Sequence, residues 1–201
     1  FVEGARWGMR MGNQQLVDGM YRDGFNDPLS GLVMGETAEN LVRQYEIPRN
    51  EQDEFALRSQ QRAQSAIEAG RFEDEIVPLE IKVRKGETVS FARDEHYRAG
   101  TTIQDLGKLA PVFSADGTVT AGNSSGITDG AAALLVMSEA AVEKSGVKPQ
   151  ARIVDYEITG VAPEIMGIGP VPAVRTLLAR QQLTLGDVDL VELNEAFAAQ
   201  V

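Results

Sequence analysis

In Asp189-Leu190-Val191-Glu192-Leu193-Asn194-Glu195-Ala196-Phe197-Ala198-Ala199-Gln200-Val201, an apolar strand runs straight into Asn194. A carboxamide there stands where a helix would begin, because its oxygen can accept from the free amides of the first turn. The last residue then falls inside that expected helix. A complete domain rarely stops mid-helix, so the sequence predicts a section of a longer polypeptide, whose chemistry would draw on residues outside it.

Upstream of this stretch, strands and helices alternate. Val171 to Gln182 reads as an amphipathic helix, with Pro170 and Pro172 at its start and Val174, Leu177 and Leu178 on its inner face. Arg152 to Thr159 alternates as a strand, and Ser138 to Ser145 reads as a short helix. Ala131 to Met137 is a continuous apolar run suited to a buried strand. Together with a strand over Asp187 to Leu193, the order predicts an α/β layer with a largely parallel sheet.

The first half is more polar. Gly35 to Tyr45 reads as a helix with Ala38, Leu41, Val42 and Tyr45 on one face. A second helix is expected from Asn50 as N-cap. Glu51, Asp53 and Glu54 load its first turn, Phe55, Ser59, Ala63, Ala66 and Ile67 form a stripe, and Gly70 ends it. Glu75 to Val83 and Thr88 to Phe91 predict a hairpin around Arg84-Lys85-Gly86-Glu87. Its edges suit either a plain protrusion or a subunit contact. The shift in composition near residues 115–130 marks the best domain boundary.

The chain of 201 residues is long enough to bury a core, and 43% hydrophobic with 24% charged residues is ordinary for a globular protein. A formal charge of −11 repels phosphate backbones and argues against a nucleic-acid partner. No apolar run approaches the roughly 20 residues of a membrane span. With no cysteine, these residues hold no disulfide, thiolate nucleophile or cysteine-based zinc site. The one histidine, His96, sits in the charged run Arg93-Asp94-Glu95-His96-Tyr97-Arg98, which reads as a solvated loop. No metal site is expected.

Gly122-Asn123-Ser124-Ser125-Gly126-Ile127-Thr128-Asp129-Gly130 is the densest cluster of small and polar residues. Alone it is either a surface loop or an anion cradle, since glycine lets amides approach a phosphate. It lacks the Gly-Lys-Ser/Thr of a P-loop and the spacing of a dinucleotide fingerprint. Met166-Gly167-Ile168-Gly169-Pro170 is a second tight glycine segment.

Taken in order, these segments resemble the thiolase family. The matching stretches begin with Val33-Met34-Gly35-Glu36-Thr37-Ala38-Glu39-Asn40, Gln52-Asp53-Glu54-Phe55-Ala56, Ser59-Gln60-Gln61 and Gly70-Arg71-Phe72 through Glu75-Ile76-Val77-Pro78. They continue with Asp116-Gly117-Thr118-Val119-Thr120-Ala121-Gly122-Asn123-Ser124-Ser125-Gly126, Asp129-Gly130-Ala131-Ala132-Ala133, Met166 to Pro170 and Asn194-Glu195-Ala196-Phe197-Ala198. The resemblance spans nearly the whole chain.

It implies a thiolase-like α/β fold, layered αβαβα in the full protein. Residues 1–125 would be the loop domain inserted in the N-terminal half, 126–148 the end of that half and 149–201 the start of the C-terminal half. The implied activity is thiolytic cleavage of a 3-ketoacyl-CoA, or the reverse Claisen condensation. The nucleophilic Cys, the catalytic His and the acid/base Cys would all lie outside this chain, leaving the fragment inactive by itself.

The resemblance further implies that Asn194 holds an oxyanion-hole water, a task a neutral carboxamide suits because it both donates and accepts. Ser125 would contact the pantetheine arm beside Ala121. Phe113, Met166 and Phe197 would line the acyl and pantetheine tunnel, Met34 would bind substrate or CoA, and Arg98 would lie near the CoA nucleotide. Acyl-CoA and CoA are then substrates, with no other cofactor. The implied assembly is a homodimer or homotetramer, with the hairpin where a tetramer contact is often made. The implied setting is fatty acid β-oxidation, in the cytoplasm or an organellar matrix. Val33 replaces the His that many acetoacetyl-forming members carry before Met-Gly, and Ser124 stands where biosynthetic members often have Ala. Both lean toward the degradative branch. The competing reading is a non-catalytic thiolase-like carrier of acyl-CoA or lipid.

Overall fold

The computed structural model describes residues 2, 4–9, 11–83 and 86–201. They gather into two compact units. The first comprises Phe1–Gly126, Pro163–Gly167 and Leu193–Val201; the second comprises Ile127–Ala162 and Ile168–Glu192.

In the first unit α1 spans Met34–Tyr45. The Glu36 carboxylate reaches back to accept from the Val33 amide at 2.8 Å, tying down the first turn. Ala38 and Leu41 are buried as the periodicity requires, and Val42 packs at the core's edge. Tyr45, expected on the same face, is 49% exposed, because it lies in the last turn, beyond the neighbours that cover Ala38.

The second helix, α2, spans Arg49–Glu68. It begins two residues earlier than expected: Pro48 is the N-cap and Asn50 lies inside the first turn. The fixed φ of proline suits the extended N-cap conformation, although its side chain offers no acceptor to the first-turn amides. Gly70 follows the end with φ +67°, a left-handed turn that a residue without Cβ adopts freely. The stripe from Phe55 to Ile67 is half-buried, whereas the fully buried residues are polar, Gln52 and Asp53.

Charged and amide side chains therefore hold much of this unit. Glu39 on α1 is 2% exposed, and its Oε1 accepts from the amides of Thr118 at 2.8 Å and Val119 at 2.7 Å. Asp53 Oδ2 accepts from Arg49 Nε at 2.8 Å, and Arg49 also donates to the carbonyls of Leu106 and Leu109. Through those carbonyls α2 is fastened to α3, Ile103–Gly107, whose N-cap Thr102 accepts from the Asp105 amide. The apolar core beside this network is small: Ala38, Val119 and Ala199, with Val42, Phe113 and Phe197 packed against it.

The hairpin forms, but its first strand is shorter than the alternation suggested. β1 is Leu79–Lys82 and β2 is Thr88–Phe91, antiparallel, with Leu79 opposite Phe91 and Ile81 opposite Val89. Residues 71–75 form turns, and the amides of Glu75 and Ile76 donate to Phe72 O; this precludes a strand from Glu75. All four apolar residues of those facing pairs are at least 42% exposed. Of the expected turn, Arg84 and Lys85 lie outside the described residues; Val83 N donates to Glu87 O at 2.9 Å across it.

The second unit carries α4, Glu139–Ser145, and α5, Pro170–Gln181. Ser138 caps α4 by accepting from the Ala141 amide, and Gly146 closes its other end in the left-handed region. On α5, Val174 is 40% exposed and Leu177 and Leu178 are only half-buried, so the expected inner face is incompletely covered. Three predicted strands are absent here. Residues 131–137, 152–159 and 187–193 have no ladder among the described residues, and Leu185–Asp187 is a short 3₁₀ turn. A central strand draws its hydrogen bonds from neighbours on both sides, and none is present to supply them. The 152–159 segment keeps the alternation of a strand: Asp155, Glu157 and Thr159 face inward, while Val154, Tyr156 and Ile158 are at least 65% exposed. Arg180 on α5 holds the inward face through Asp155 and Glu157, and Gln181 Nε2 donates to Asp155 Oδ2 at 2.6 Å.

Glu39→Ala strands two buried amides and should cost roughly 2–5 kcal/mol, while Glu39→Gln keeps an acceptor for both and should cost about 1 kcal/mol or less; chemical denaturation of both variants measures the gap. Acid should loosen the second unit. Hydrogen bonds from Gln181 and the Tyr156 amide, with Arg180 nearby, hold the Asp155 carboxyl below its usual range. A depressed carboxylate stabilises the fold above its unfolded pKa, and that contribution is lost as pH falls through the lower folded value. Amide exchange at the C-terminal turn of α5 should therefore accelerate as pH drops below about 4, after correction for the intrinsic exchange rate.

Candidate functional site

The segment from Thr118 to Gly126 is held by backbone hydrogen bonds together with the side chains of Glu39, Thr120 and Asn123. Val112 N donates to Val119 O at 3.0 Å, and Pro111 and Thr120 form an antiparallel bridge. The chain then reverses. Thr120 N donates to Asn123 Oδ1 at 2.7 Å, and Asn123 N donates to Thr120 O. Gly122 sits in this turn against Leu106 and Leu109, where a Cβ would meet Leu106 Cδ2 at 2.7 Å. The smallest residue is thus demanded by close approach.

Beyond the turn the chain joins the C-terminal segment. Ser124 pairs with Phe197 in an antiparallel bridge, Ser125 N donates to Ala196 O at 2.9 Å, and Ala198 N donates to Asn123 O at 2.9 Å. The helix expected after Asn194 is not formed. A bend and turn take its place, with Gln200 N donating to Phe197 O and one helix-type bond from Val201 N to the same carbonyl. Pairing with Ser124 and Asn123 takes up the backbone at Ala196–Ala198, and a single helical turn has too few bonds to offset its ordering cost.

Phe113 and Phe197 meet edge to face, with ring centroids 6.0 Å apart. Phe113 lies so close over Gly35 that any side chain there would overlap its ring. Gly35 follows Met34, the first residue of α1. Farther along that helix, Leu41 packs against Gly167 together with Gln200, whose Nε2 donates to Gly167 O at 3.2 Å. Asn40 Nδ2 donates to Glu164 O. The stretch Pro163–Gly167, which carries the 44%-exposed Met166, is thus anchored to α1.

The structure therefore brings Met34, Phe113, Ser125, Met166 and Phe197 into one unit, supported by α1 and the paired 123–125 and 196–198 segments. Ala121 lies at the exposed tip of the turn. Asn194 is exposed, one residue before Glu195, whose carboxylate accepts from Ser59 Oγ of α2 at 2.5 Å. Arg98 is held at its backbone, its amide donating to Gln60 Oε1 at 3.1 Å, with its side chain exposed. His96 is exposed and stands over Gly126. A cavity of about 170 Å³ elsewhere in this unit is lined by Ile67, Phe72, Ile76, Tyr97 and neighbours, and by none of the candidate residues.

Sequence reasoning missed the residues that fix this arrangement. Asn123 Nδ2 donates to Asp53 Oδ1 at 3.0 Å and to Thr118 O at 3.1 Å, so α2 reaches directly into the turn. In the helix expected from Asn50, Asp53 falls in the first turn and reads instead as a charge facing the helix dipole. The available signal was Arg49, four residues earlier, an ion-pair spacing that can neutralise a carboxylate turned inward.

Comparison with known proteins agrees with this architecture. The thiolase N-terminal domain matches residues 2–140 and the thiolase C-terminal domain residues 147–201. The chain belongs to the thiolase family. It is 51% identical to the acetyl-CoA acetyltransferase of Rhizobium meliloti over 97% of this chain and 49% of that protein. It is 53% identical to the beta-ketothiolase of Cupriavidus necator over 98% of this chain and 50% of that protein. Human mitochondrial 3-ketoacyl-CoA thiolase superposes with a TM-score of 0.88 at 48% identity, over 100% of this chain and 50% of that one. The acetyl-CoA acetyltransferase of Bacillus anthracis gives 0.86 at 52% identity, over 98% and 49%. The fold is thus the α/β thiolase fold, and the chain spans about half the length of the thiolases it matches.

Gly35→Ala should force Phe113 off its contact with Phe197 and cost about 1–3 kcal/mol. Gly24→Ala, where an added methyl meets nothing within 4 Å, should be near neutral; paired thermal unfolding curves compare them.

Proposed function

We propose that the full-length polypeptide containing this chain is a thiolase enzyme that transfers an acyl group to coenzyme A. In the cleavage direction the sulfur of free CoA takes the acyl group of a 3-ketoacyl-CoA, and acetyl-CoA leaves with the α-carbon reprotonated. The reverse direction condenses two acyl-CoAs. The observation that carries this reading is the pairing of Ser124 and Ser125 with Ala196 and Phe197, beside the Phe113–Phe197 contact. It sets a polar strap against an apolar wall, which suits a thioester whose pantetheine arm is polar and whose acyl chain is not.

In this reading Ser125 meets the pantetheine arm beside Ala121, and Met34, Phe113, Met166 and Phe197 form the apolar wall. A dry wall strengthens hydrogen bonds to developing charge. Asn194 holds the water that faces the enolate oxygen, and its neutral carboxamide donates and accepts without adding charge. Arg98 offsets phosphate charge at the nucleotide end. The chain has no cysteine, so the acyl-accepting thiolate and the proton-moving thiol come from outside it. CoA and its thioesters are substrates, and no further cofactor is assigned.

The hairpin's Leu79, Ile81, Val89 and Phe91 present an exposed apolar face, which supports a homo-oligomer joined there. Among the described residues no helix is long and apolar enough to cross a membrane. A setting in fatty acid β-oxidation, in the cytoplasm or an organellar matrix, fits the degradative lean of Val33 and Ser124.

The test is CoA-dependent cleavage of a 3-ketoacyl-CoA by the full-length polypeptide, followed by loss of absorbance of its magnesium enolate. Turnover is expected; a folded protein that binds acyl-CoA without turning it over would be a carrier. Asn194→Ala should lower kcat by roughly 10²-fold, as removal of other oxyanion donors does, with a smaller effect on substrate binding.

A further inference from the structure

We infer that Asp53 is a positioning residue for the pantetheine arm, acting through Asn123. This rests on the thiolase reading given above and extends it to a residue that touches no substrate.

Asp53 is 3% exposed and lies between two donors: Arg49 Nε at 2.8 Å on Oδ2 and Asn123 Nδ2 at 3.0 Å on Oδ1. A carboxylate meets both because each oxygen only accepts. That constraint passes to Asn123, which is also 3% exposed. With its nitrogen turned to Asp53 and Thr118 O, its oxygen must face the Thr120 amide. The orientation of one carboxamide thereby closes the turn at Thr120–Asn123. The Asn123 carbonyl, held by the same turn, receives Ala198 N, and two residues on Ser125 N donates to Ala196 O. Asp53 thus sets the register in which the Ser125 strap meets the 196–198 segment.

The charged groups packed around this point are Arg49 on α2 and Glu39 on α1. Arg49 donates to Asp53 and two carbonyls, and Glu39 accepts from the Thr118 and Val119 amides. Arg49 has no acceptor to offer Asn123, and the Glu39 oxygen is taken up by its two amides, so neither stands in for Asp53.

An asparagine at position 53 supplies one acceptor where two donors arrive, so one donor is left without a partner. The Asn123 carboxamide then loses its reason to keep its orientation. The exchanged pair Asp53→Asn with Asn123→Asp restores three of the four bonds: its carboxamide, now on α2, accepts from Arg49 and donates to the carboxylate now in the turn, which still accepts from the Thr120 amide. Only the bond to Thr118 O is given up, because a carboxylate cannot donate to it.

The experiment uses the full-length polypeptide and measures CoA binding by calorimetry, with KM and kcat for a 3-ketoacyl-CoA. Asp53→Asn should weaken CoA binding and raise KM about tenfold, a change of roughly 1.4 kcal/mol. It should lower kcat by less. The exchanged pair should recover part of that loss, binding CoA at least about threefold more tightly than Asp53→Asn. A folded Asp53→Asn with unchanged CoA affinity overturns the inference, as does an exchanged pair no better than the single variant. Should Asp53→Asn not fold, the exchanged pair decides alone: a pair that folds and binds CoA supports the positioning role, and a pair that fails in either respect overturns it. A parent protein without CoA binding or turnover removes the thiolase reading itself, and this inference with it. An active parent with an indifferent Asp53→Asn removes only the inference.

Discussion

Two buried carboxylates hold the first unit together. Glu39 gathers the amides of Thr118 and Val119, and Asp53 gathers Arg49 and Asn123. The apolar core they accompany consists of Ala38, Val119 and Ala199, small side chains with little surface to remove from water. A hydrogen bond to a charged group contributes about 1.5–3 kcal/mol, comparable to burying one large aliphatic side chain. Where methyl groups are scarce, such bonds decide which loop conformation survives. Their directionality matters as much as their strength, since a carboxylate can satisfy two amides only where the backbone presents them side by side.

The network also explains how the strap can be exposed and still defined. Ser125 faces solvent, so burial does not order it. Its backbone is placed by Ala196 on one side and by the Asn123 turn on the other. Both supports lead back to helices, through Asn123 to Asp53 on α2 and through Ala199 to the Ala38 face of α1. Precision is built in the interior and carried outward by the main chain.

The helices were legible in the sequence because their signals are local. The 3.6-residue periodicity located α1, the run from Ser138 to Ser145 placed α4, and Pro170 opened α5. Leu79–Lys82 and Thr88–Phe91 were legible as a hairpin for the same reason, since the partner strand is close in sequence. The strands at 131–137, 152–159 and 187–193 depend on neighbours distant in sequence, so an apolar pattern alone did not make them ladders. Arg152–Thr159 is instructive: its alternation survives, but with Asp155 and Glu157 turned inward to Arg180 and the apolar row left outside. Among site residues, the family resemblance implied Phe113, Ser125, Met166 and Phe197, all of which lie in the first unit. Glu39 and Asp53 stayed invisible because a charged residue on a helix is assigned to solvent by default.

The same logic separates the turn's side chains by task. Asn123 spends its oxygen on Thr120 and its nitrogen on Asp53 and Thr118, leaving nothing for a ligand. Ser124 spends its hydroxyl on the Thr120 carbonyl at 2.7 Å. The Ser125 amide is engaged with Ala196, but its side chain projects from a backbone already fixed on both sides. Within Asn123-Ser124-Ser125, the third residue is therefore the one positioned to present a hydroxyl outward, and the two before it are consumed in holding it there. A change at Ser124 alters a bond internal to the strap, whereas a change at Ser125 alters what the strap offers, so substitutions at these adjacent serines act by different physical routes.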